Sequence, residues 1–237
     1  MGSILHIKQE ELVWVWTPGM SFKMEELYID STLMSLSLLL VVGYHAHLWQ
    51  CLKKKPEKTT WGIQREGRRA WLELTLQLEG GSMQVVQILR NNLMIIILRA
   101  SISIAVSSSV AALTNNAYKT QQLFRSGTQS SAASSGLFAV KYAAAFVVSV
   151  SSFLFSSFGV GFLIDTCMLV STATASTHIQ RLVDTGFALA FIGNRLMWLS
   201  FALLLWSLGP IPVALCSFAS LWGFSFIDFV GKSVKHM

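Results

Sequence analysis

The sequence has few charged residues, and this scarcity restricts the class of protein it can encode. Lys, Arg, Asp and Glu make up 13% of the 237 residues, whereas a soluble globular domain carries about 25%. The 18 basic and 12 acidic side chains give a net charge of +6, too few to build the basic surface of a nucleic-acid-binding domain. Since 53% of the residues are apolar, the composition indicates a multi-pass membrane protein without a nucleic-acid partner.

Cysteines and catalytic motifs are also scarce. The three cysteines, Cys51, Cys167 and Cys216, cannot form a full disulfide framework. No HExxH, GxSxG or CxxC motif occurs. His45 and His47 diverge by about 200° on a helix, so they cannot bind one metal ion from one helical face. We therefore expect no metal site, no cofactor and no enzymatic activity.

The first 23 residues do not have the pattern of a signal peptide. Their apolar run, residues 12–16, is too short for a hydrophobic region and ends at Thr17-Pro18-Gly19. Residues 1–23 form an N-terminal extension, for which two interpretations stay open. It is an interfacial segment, with Trp14 and Trp16 at the level of the lipid headgroups, or a disordered leader.

Apolar runs within residues 24–230 predict an all-α, multi-pass helical bundle, followed by a short tail at 231–237. The expected spans are about 27–49, 93–113, 137–164 and 187–230. The last stretch is too long for one crossing and is divided at Pro210, so the bundle has four or five transmembrane helices. The helix of the second span should begin near Ser82, after Gly80-Gly81, and its first turns should project into water because it exceeds the bilayer thickness.

The basic residues predict the orientation. Residues 50–92 hold eight lysines and arginines, so this loop should be cytosolic. Its first cluster, Lys53, Lys54 and Lys55, contacts anionic lipid or acts only as a topology signal. Residues 65–79 place Trp71, Leu74 and Leu78 at helical spacing, which favours an amphipathic helix lying on the membrane over a strand.

Polar residues within the spans are the features most closely tied to function. Those in the second and third spans include Ser101, Ser108, Ser149, Ser152 and Ser156. Small hydroxyl residues either allow close helix packing or line a wet pathway. Arg99 lies in the second span, where a charge must face water, an acid or carbonyl groups.

A second polar set recurs near the cytosolic ends of two spans. Arg90-Asn91 and Asn194-Arg195 are similar pairs at similar expected depth. We expect these four residues, with Arg99, to form a polar girdle between helices.

Several motifs, taken in order, resemble the plant membrane-protein family known as domain of unknown function 599. They are Tyr44-His45 with Leu48-Trp49; Gly62-Ile63 with Gly67-Arg68 and Trp71; Gln87, Leu89-Arg90-Asn91 and Met94; Lys141-Tyr142; Gly193-Asn194-Arg195-Leu196; and Leu203-Leu204-Leu205-Trp206 with Gly209-Pro210. The chain differs from the family pattern in its N-terminal extension, its shorter loop after the third span, and Arg99. Within this family it looks most like a plant defence protein of the endoplasmic reticulum. That resemblance implies a homo-oligomeric, pentameric, calcium-permeable cation channel.

A symmetric cation channel needs only one suitably placed acid per subunit, because symmetry multiplies it. The candidate carboxylates are Asp165, Glu73, Glu79 and Asp30, with Glu25 and Glu26 beside the last. Five copies of Arg99 facing a pore would repel cations, so we expect Arg99 to bind between subunits or to point toward carbonyl groups. Two alternatives stay open: a non-conducting scaffold that recruits partners through its basic loop, and an anion pathway that uses Arg99.

Overall fold

The computed structural model describes residues 32–125, 132–172, 176–206 and 209–229. The helices are α1 (Thr32–Lys54), α2 (Thr60–Leu76), α3 (Gly81–Arg125), α4 (Ala132–Val170), α5 (Ser176–Leu205) and α6 (Pro210–Asp228), with a short 3-10 turn at Pro56–Lys58. Strands are absent from these ranges, which confirms the predicted all-α fold. The N-terminal extension, Glu25, Glu26, Asp30 and the tail at 231–237 lie outside the described residues.

Five of these helices, α1 and α3 to α6, are long and apolar enough to cross a membrane, so the chain is a multi-pass membrane protein. The last apolar stretch forms two separate helices because Gly209 and Pro210 divide it. Gly209 has a positive φ of 136°, which a residue with a side chain rarely adopts. Pro210 then begins α6, where its missing N–H costs nothing.

The helices differ greatly in length, and this divides the bundle into two regions. α3 has 45 residues and α4 has 39, or about 67 and 58 Å, whereas α1 has 23 and α6 has 19, close to the ~30 Å of a bilayer core. We call the part in which α1 and α6 flank α3, α4 and α5 the membrane region. We call the remaining parts of these three helices, where α2 packs against them, the extension region; it is distinct from the N-terminal extension.

The chain passes from one region to the other at a well-defined junction. Thr59 pairs with Phe229 as an isolated bridge, and the Thr60 hydroxyl donates a hydrogen bond to the Ile227 carbonyl at 2.6 Å. The end of α1, the start of α2 and the end of α6 therefore lie at the same level. Exposed Lys53, Lys54 and Lys55 at the end of α1 place the membrane boundary close to this level, because such charges are costly in hydrocarbon.

α2 is the predicted amphipathic helix, but its contacts differ from the expectation. Leu72 and Thr75 are buried, and Leu72 shares a core with α3, α4 and α5. Leu74 and Leu78 are 65% and 62% exposed. The helix therefore packs against the bundle through a face next to the predicted one. The turn to α3 uses Gly80, whose φ of 74° ends the preceding segment at the predicted position.

Each region has its own hydrophobic core. The core of the extension region includes Leu72, Leu89, Leu163 and Val183. The core of the membrane region includes Met34, Val110, Ala145 and Leu203. Buried serines lie on the α3–α4 and α4–α5 contacts that connect the two cores, so the three long helices pack continuously from one region to the other.

Candidate functional site

One face of α3 is exposed from Gln84 to Asn115 and has a heptad spacing. Its residues recur at alternating intervals of three and four, and all are exposed: Gln84, Gln87, Asn91, Met94, Leu98, Ser101, Ala105, Ser108, Ala112 and Asn115. We call this face the α3 seam. Met94 and Leu98 are its only large apolar residues, and the others are amides, hydroxyls or alanines.

The α3 seam faces away from the rest of the chain. Leu89, Ser103 and Val110 on the opposite face of α3 are buried against the bundle. The predicted pathway residues Ser101 and Ser108 both belong to the seam. The Ser101 hydroxyl donates to the Ile97 carbonyl within its own helix at 3.0 Å, which leaves its outer surface available to solvent or to another helix.

The serines of α4 have a different place. Ser149, Ser152 and Ser156 are at most 1% exposed and lie inside the bundle. Ser152 contacts the Ser103 hydroxyl at 2.8 Å and donates to the Gly193 carbonyl at 2.7 Å, and Ser149 contacts Ser107 at 2.8 Å. Of the two uses weighed for these serines, the structure shows helix packing, because their hydroxyls join α4 to α3 and α5 within one chain.

Close approach of α4 and α5 depends on Gly193. A Cβ atom at this position would lie 2.4 Å from the Ser156 hydroxyl and 3.1 Å from the Ser152 carbonyl. No such contact is possible without separating the helices, so Gly193 and the serines form one close-packed unit.

The candidate carboxylates are exposed and lie on three different elements. Glu73 lies on α2, Glu79 in the turn before α3, and Asp165 near the end of α4. Within the described residues, none of the three forms an ion pair. Asp165 lies on an exposed stripe of α4 with Leu154, Phe158, Gly161 and Met168, which also have alternating spacings of three and four residues.

Arg99 lines a partly open cavity in the chain. The cavity has a volume of about 730 Å³ and lies between α2, α3, α5 and the end of α6. Arg68, Asn194, Arg195 and Asp228 line it with Arg99. We call it the arginine cavity. Because it lies at the junction, Arg99 is near the membrane boundary, and it points about 100° away from Leu98 of the α3 seam.

Arg195 and its partner Asp228 are the two nearly enclosed charges of the cavity. The Arg195 side chain is 9% exposed, and it forms an ion pair with Asp228, which is 7% exposed. Asp228 also accepts a hydrogen bond from the Tyr44 hydroxyl at 2.6 Å. The Arg195 guanidinium is 4.6 Å from the ring centroid of Phe191 and 4.0 Å from that of Phe224. These contacts link α1, α5 and α6 at the junction.

Arg68 enters the cavity from α2. Its guanidinium lies over the rings of Trp61 and Phe187, at 4.9 and 4.5 Å from the centroids. Burial lowers the pKa of Arg68, while the Asp184 carboxylate raises it and Arg65 lowers it. The group stays protonated because arginine keeps its proton in proteins.

The expected polar girdle is replaced by this cavity. Asn194, Arg195 and Arg99 line the same cavity. Arg90 and Asn91 are exposed and are not among its lining residues. Arg195 pairs with Asp228 of α6 instead of contacting the Arg90-Asn91 pair. Lys53, Lys54 and Lys55 are all exposed, and the Lys53 ammonium lies 5.1 Å from the centroid of Trp49.

Sequence reasoning did not find the basic partners of two acids. Asp228 was not considered, and no local signal connects it with Arg195, 33 residues earlier. Asp184 was placed near the cytosolic face without an evident partner. It accepts hydrogen bonds from Arg65 at 3.2 Å and from Arg69 at 2.7 Å, which attaches α2 to α5.

Comparison with known proteins identifies the family. A family model described as "Protein of unknown function, DUF599" matches residues 32–233. The chain therefore belongs to the DUF599 family, as its motifs predicted. Neither the search of curated proteins nor that of solved structures gives a match.

Proposed function

We propose that this DUF599 protein is a homo-oligomeric cation channel whose pore is lined by the α3 seam. The single observation that carries the proposal is the heptad-spaced, exposed and mostly polar or small surface of α3. A repeat of two residues in every seven keeps one line of side chains turned toward a common axis when copies of a helix pack in a left-handed bundle. Lipid alone gives no reason to align amides, hydroxyls and alanines on one face.

The composition of the seam suits a water-filled path with a constriction. Gln84, Gln87 and Asn91 supply amides in the extension region, and Ser101 and Ser108 supply hydroxyls in the membrane region. Met94 and Leu98 lie between these two polar sections. A ring of such apolar side chains is a suitable gate because it closes by dewetting.

Charge also supports cations over anions. Arg99 lines the arginine cavity on a part of α3 turned away from the seam, so it does not present a ring of positive charge to the axis. Asp165 is exposed and has no ion pair among the described residues, which leaves its carboxylate available to attract cations.

Calcium permeation, five subunits, the endoplasmic reticulum membrane, a cytosolic extension region and a role in plant defence belong to the same proposal. They rest on the sequence resemblance and on the distribution of basic residues. The non-conducting scaffold and the anion pathway become outcomes of the test below.

The test is a recording from purified protein in planar bilayers under asymmetric calcium or potassium gradients. We expect reversal potentials that follow the cation gradient. In a background in which Cys51, Cys167 and Cys216 are replaced by alanine, a positively charged thiol reagent should block Ser108→Cys, which places its thiol on the seam. The matched control is Ile102→Cys, because residue 102 is 36% exposed and lies about 120° around α3 from residue 108, so no block is expected.

Three results would contradict the proposal. Absence of current favours the scaffold, and reversal potentials that follow the anion gradient favour an anion pathway. Equal block at positions 102 and 108 would show that the α3 seam is not the part of α3 that lines the path.

A further inference from the structure

The arginine cavity has an excess of positive charge. Three arginines, Arg68, Arg99 and Arg195, line it with one acid, Asp228, which leaves two positive charges of the lining unbalanced. Asp184 acts on Arg68 from outside the lining, but it is already paired with two other arginines, Arg65 and Arg69. Within the described part of the chain, no hydrogen bond or ion pair involves the Arg99 side chain. A buried charge without a partner is costly, so this excess suits an anionic ligand.

Two of the lining arginines keep hydrogen-bond donors that have no partner in the described part of the chain. Nε and Nη2 of Arg68 and Nε and Nη1 of Arg195 are buried and have no partner among the described residues. The Arg195 side chain is only 9% exposed, so bulk water does not readily satisfy these donors. A phosphate group carries several acceptor oxygens and matches the planar fork of arginine.

A second, apolar cavity adjoins the first. It has a volume of about 560 Å³ and lies between α1, α5 and α6, with a lining that is almost wholly aliphatic and aromatic. Trp61, Phe191 and Arg195 line both cavities. We call this second space the apolar groove. Trp49 and Trp198 at its edges are 60% and 44% exposed, so the groove is accessible from the surrounding lipid.

The two spaces together have the polarity profile of a phospholipid. The arginine cavity lies at the membrane boundary, where a headgroup phosphate resides, and the apolar groove runs along helices of the membrane region. We propose that the protein binds an anionic phospholipid, with its phosphate held by Arg68, Arg99 and Arg195 and an acyl chain in the apolar groove. This inference requires neither subunit assembly nor ion conduction, so it can be tested separately from the proposed channel function.

Charge makes the site selective. A zwitterionic lipid brings its own positive group and leaves the two excess charges unbalanced. A phosphatidic acid or a phosphoinositide adds at least one net negative charge and more acceptors. The adjoining aromatic rings of Phe191 and Phe224 contact the Arg195 guanidinium and hold it in place before a ligand binds.

The first experiment measures lipid binding to the full-length protein by native mass spectrometry. The protein is delipidated in detergent and titrated with phosphatidic acid, phosphatidylinositol 4-phosphate or phosphatidylcholine of the same chain length. We expect the anionic lipids to bind at least about tenfold more tightly than phosphatidylcholine, a ratio that one or two charge-assisted hydrogen bonds can supply. Equal binding of all three lipids would overturn the proposal.

Variants then locate the site. Arg99→Gln should weaken binding of anionic lipid about tenfold, whereas the matched control Arg90→Gln, an exposed arginine on the same helix, should leave it unchanged. Equal effects of the two substitutions would overturn the proposal. Should Arg99→Gln fail to fold, Arg99→Lys is the second variant. It keeps the charge but loses the planar guanidinium that binds two phosphate oxygens at once, so we expect a smaller loss of affinity.

A further pair of variants separates a lipid from a soluble phosphate. Ala46→Trp fills the apolar groove from an exposed position on α1, and Ala219→Trp places the same side chain on α6 away from the groove. We expect only Ala46→Trp to weaken lipid binding. If inorganic phosphate displaces the lipid completely at millimolar concentration, and Ala46→Trp has no effect, the site takes a soluble anion and the lipid assignment is wrong.

Discussion

The membrane region and the extension region contain the same three long helices, yet these helices are covered in different ways. In the membrane region, large apolar residues such as Leu39 and Val147 stay 69% and 61% exposed, because lipid solvates them. In the extension region, α2 packs its Leu72 against α3, α4 and α5. At the membrane boundary the surroundings change from lipid to water, and the cover of the three long helices changes from lipid to α2.

The two regions also use ion pairs differently. Asp228 and Arg195 at the junction are 7% and 9% exposed. Asp184 in the extension region is 10% exposed, but its partners Arg65 and Arg69 are 47% and 38% exposed. Both acids are therefore nearly enclosed, but the arginine is enclosed only at the junction and is partly exposed to water in the extension region. Removal of the acid should therefore have unequal costs.

The largest effect is expected from Asp228→Asn, which leaves Arg195 buried without its countercharge. Removing one partner of a buried pair costs about 3–5 kcal/mol, and we expect a corresponding loss of thermal stability in detergent. Asp184→Asn is the counterpart in the extension region and should cost about 1 kcal/mol, because water screens its arginines. Equal losses for the two variants would contradict the distinction between the regions.

Gly193→Val tests the packing of the long helices and should have the next largest effect. The added side chain cannot fit against Ser156 and Ser152, and we expect a loss of about 1–3 kcal/mol from overpacking. The control is Gly161→Val on the exposed stripe of α4, where a Cβ atom meets nothing within 4 Å. If the melting temperatures of both variants fall equally, helix propensity and not packing sets the cost.

Tyr44→Phe should have the smallest effect. It removes the hydrogen bond from the Tyr44 hydroxyl to Asp228 but keeps the Arg195–Asp228 pair, so we expect a loss of about 1 kcal/mol. In the Asp228→Asn background the same substitution should cost less, because the hydroxyl has already lost its charged acceptor. A double-mutant cycle measured by thermal unfolding gives this coupling, and additive losses would contradict it.

The sequence predicted those features of the fold that depend on neighbouring residues. Gly80-Gly81 marks the start of α3, and Gly209-Pro210 divides the last apolar stretch, because backbone chemistry alone ends a helix at these places. The helical nature of α2 followed from its spacing. The face that α2 presents to the bundle did not, since Leu72 and Leu74 are equally apolar and only the position of α3 and α5 decides which one is buried.

The candidate site was predictable only in part, for the same reason. Spacing could select Ser101 and Ser108 but could not separate them from Ser152, whose partner Ser103 lies 49 residues away. Likewise, Arg99 was recognised as unusual, but its depth depends on where α1 and α6 end. Residues that meet across helices, such as Arg195 and Asp228, leave no periodic signal in a single sequence.

Imaging of the purified protein tests the central claim most directly, because it shows both the assembly and the helix nearest its axis. The account predicts a closed ring of identical subunits in which α3 lies innermost and Ser101 and Ser108 face a central space. Isolated subunits, or a ring in which the α3 seam faces lipid, would contradict it.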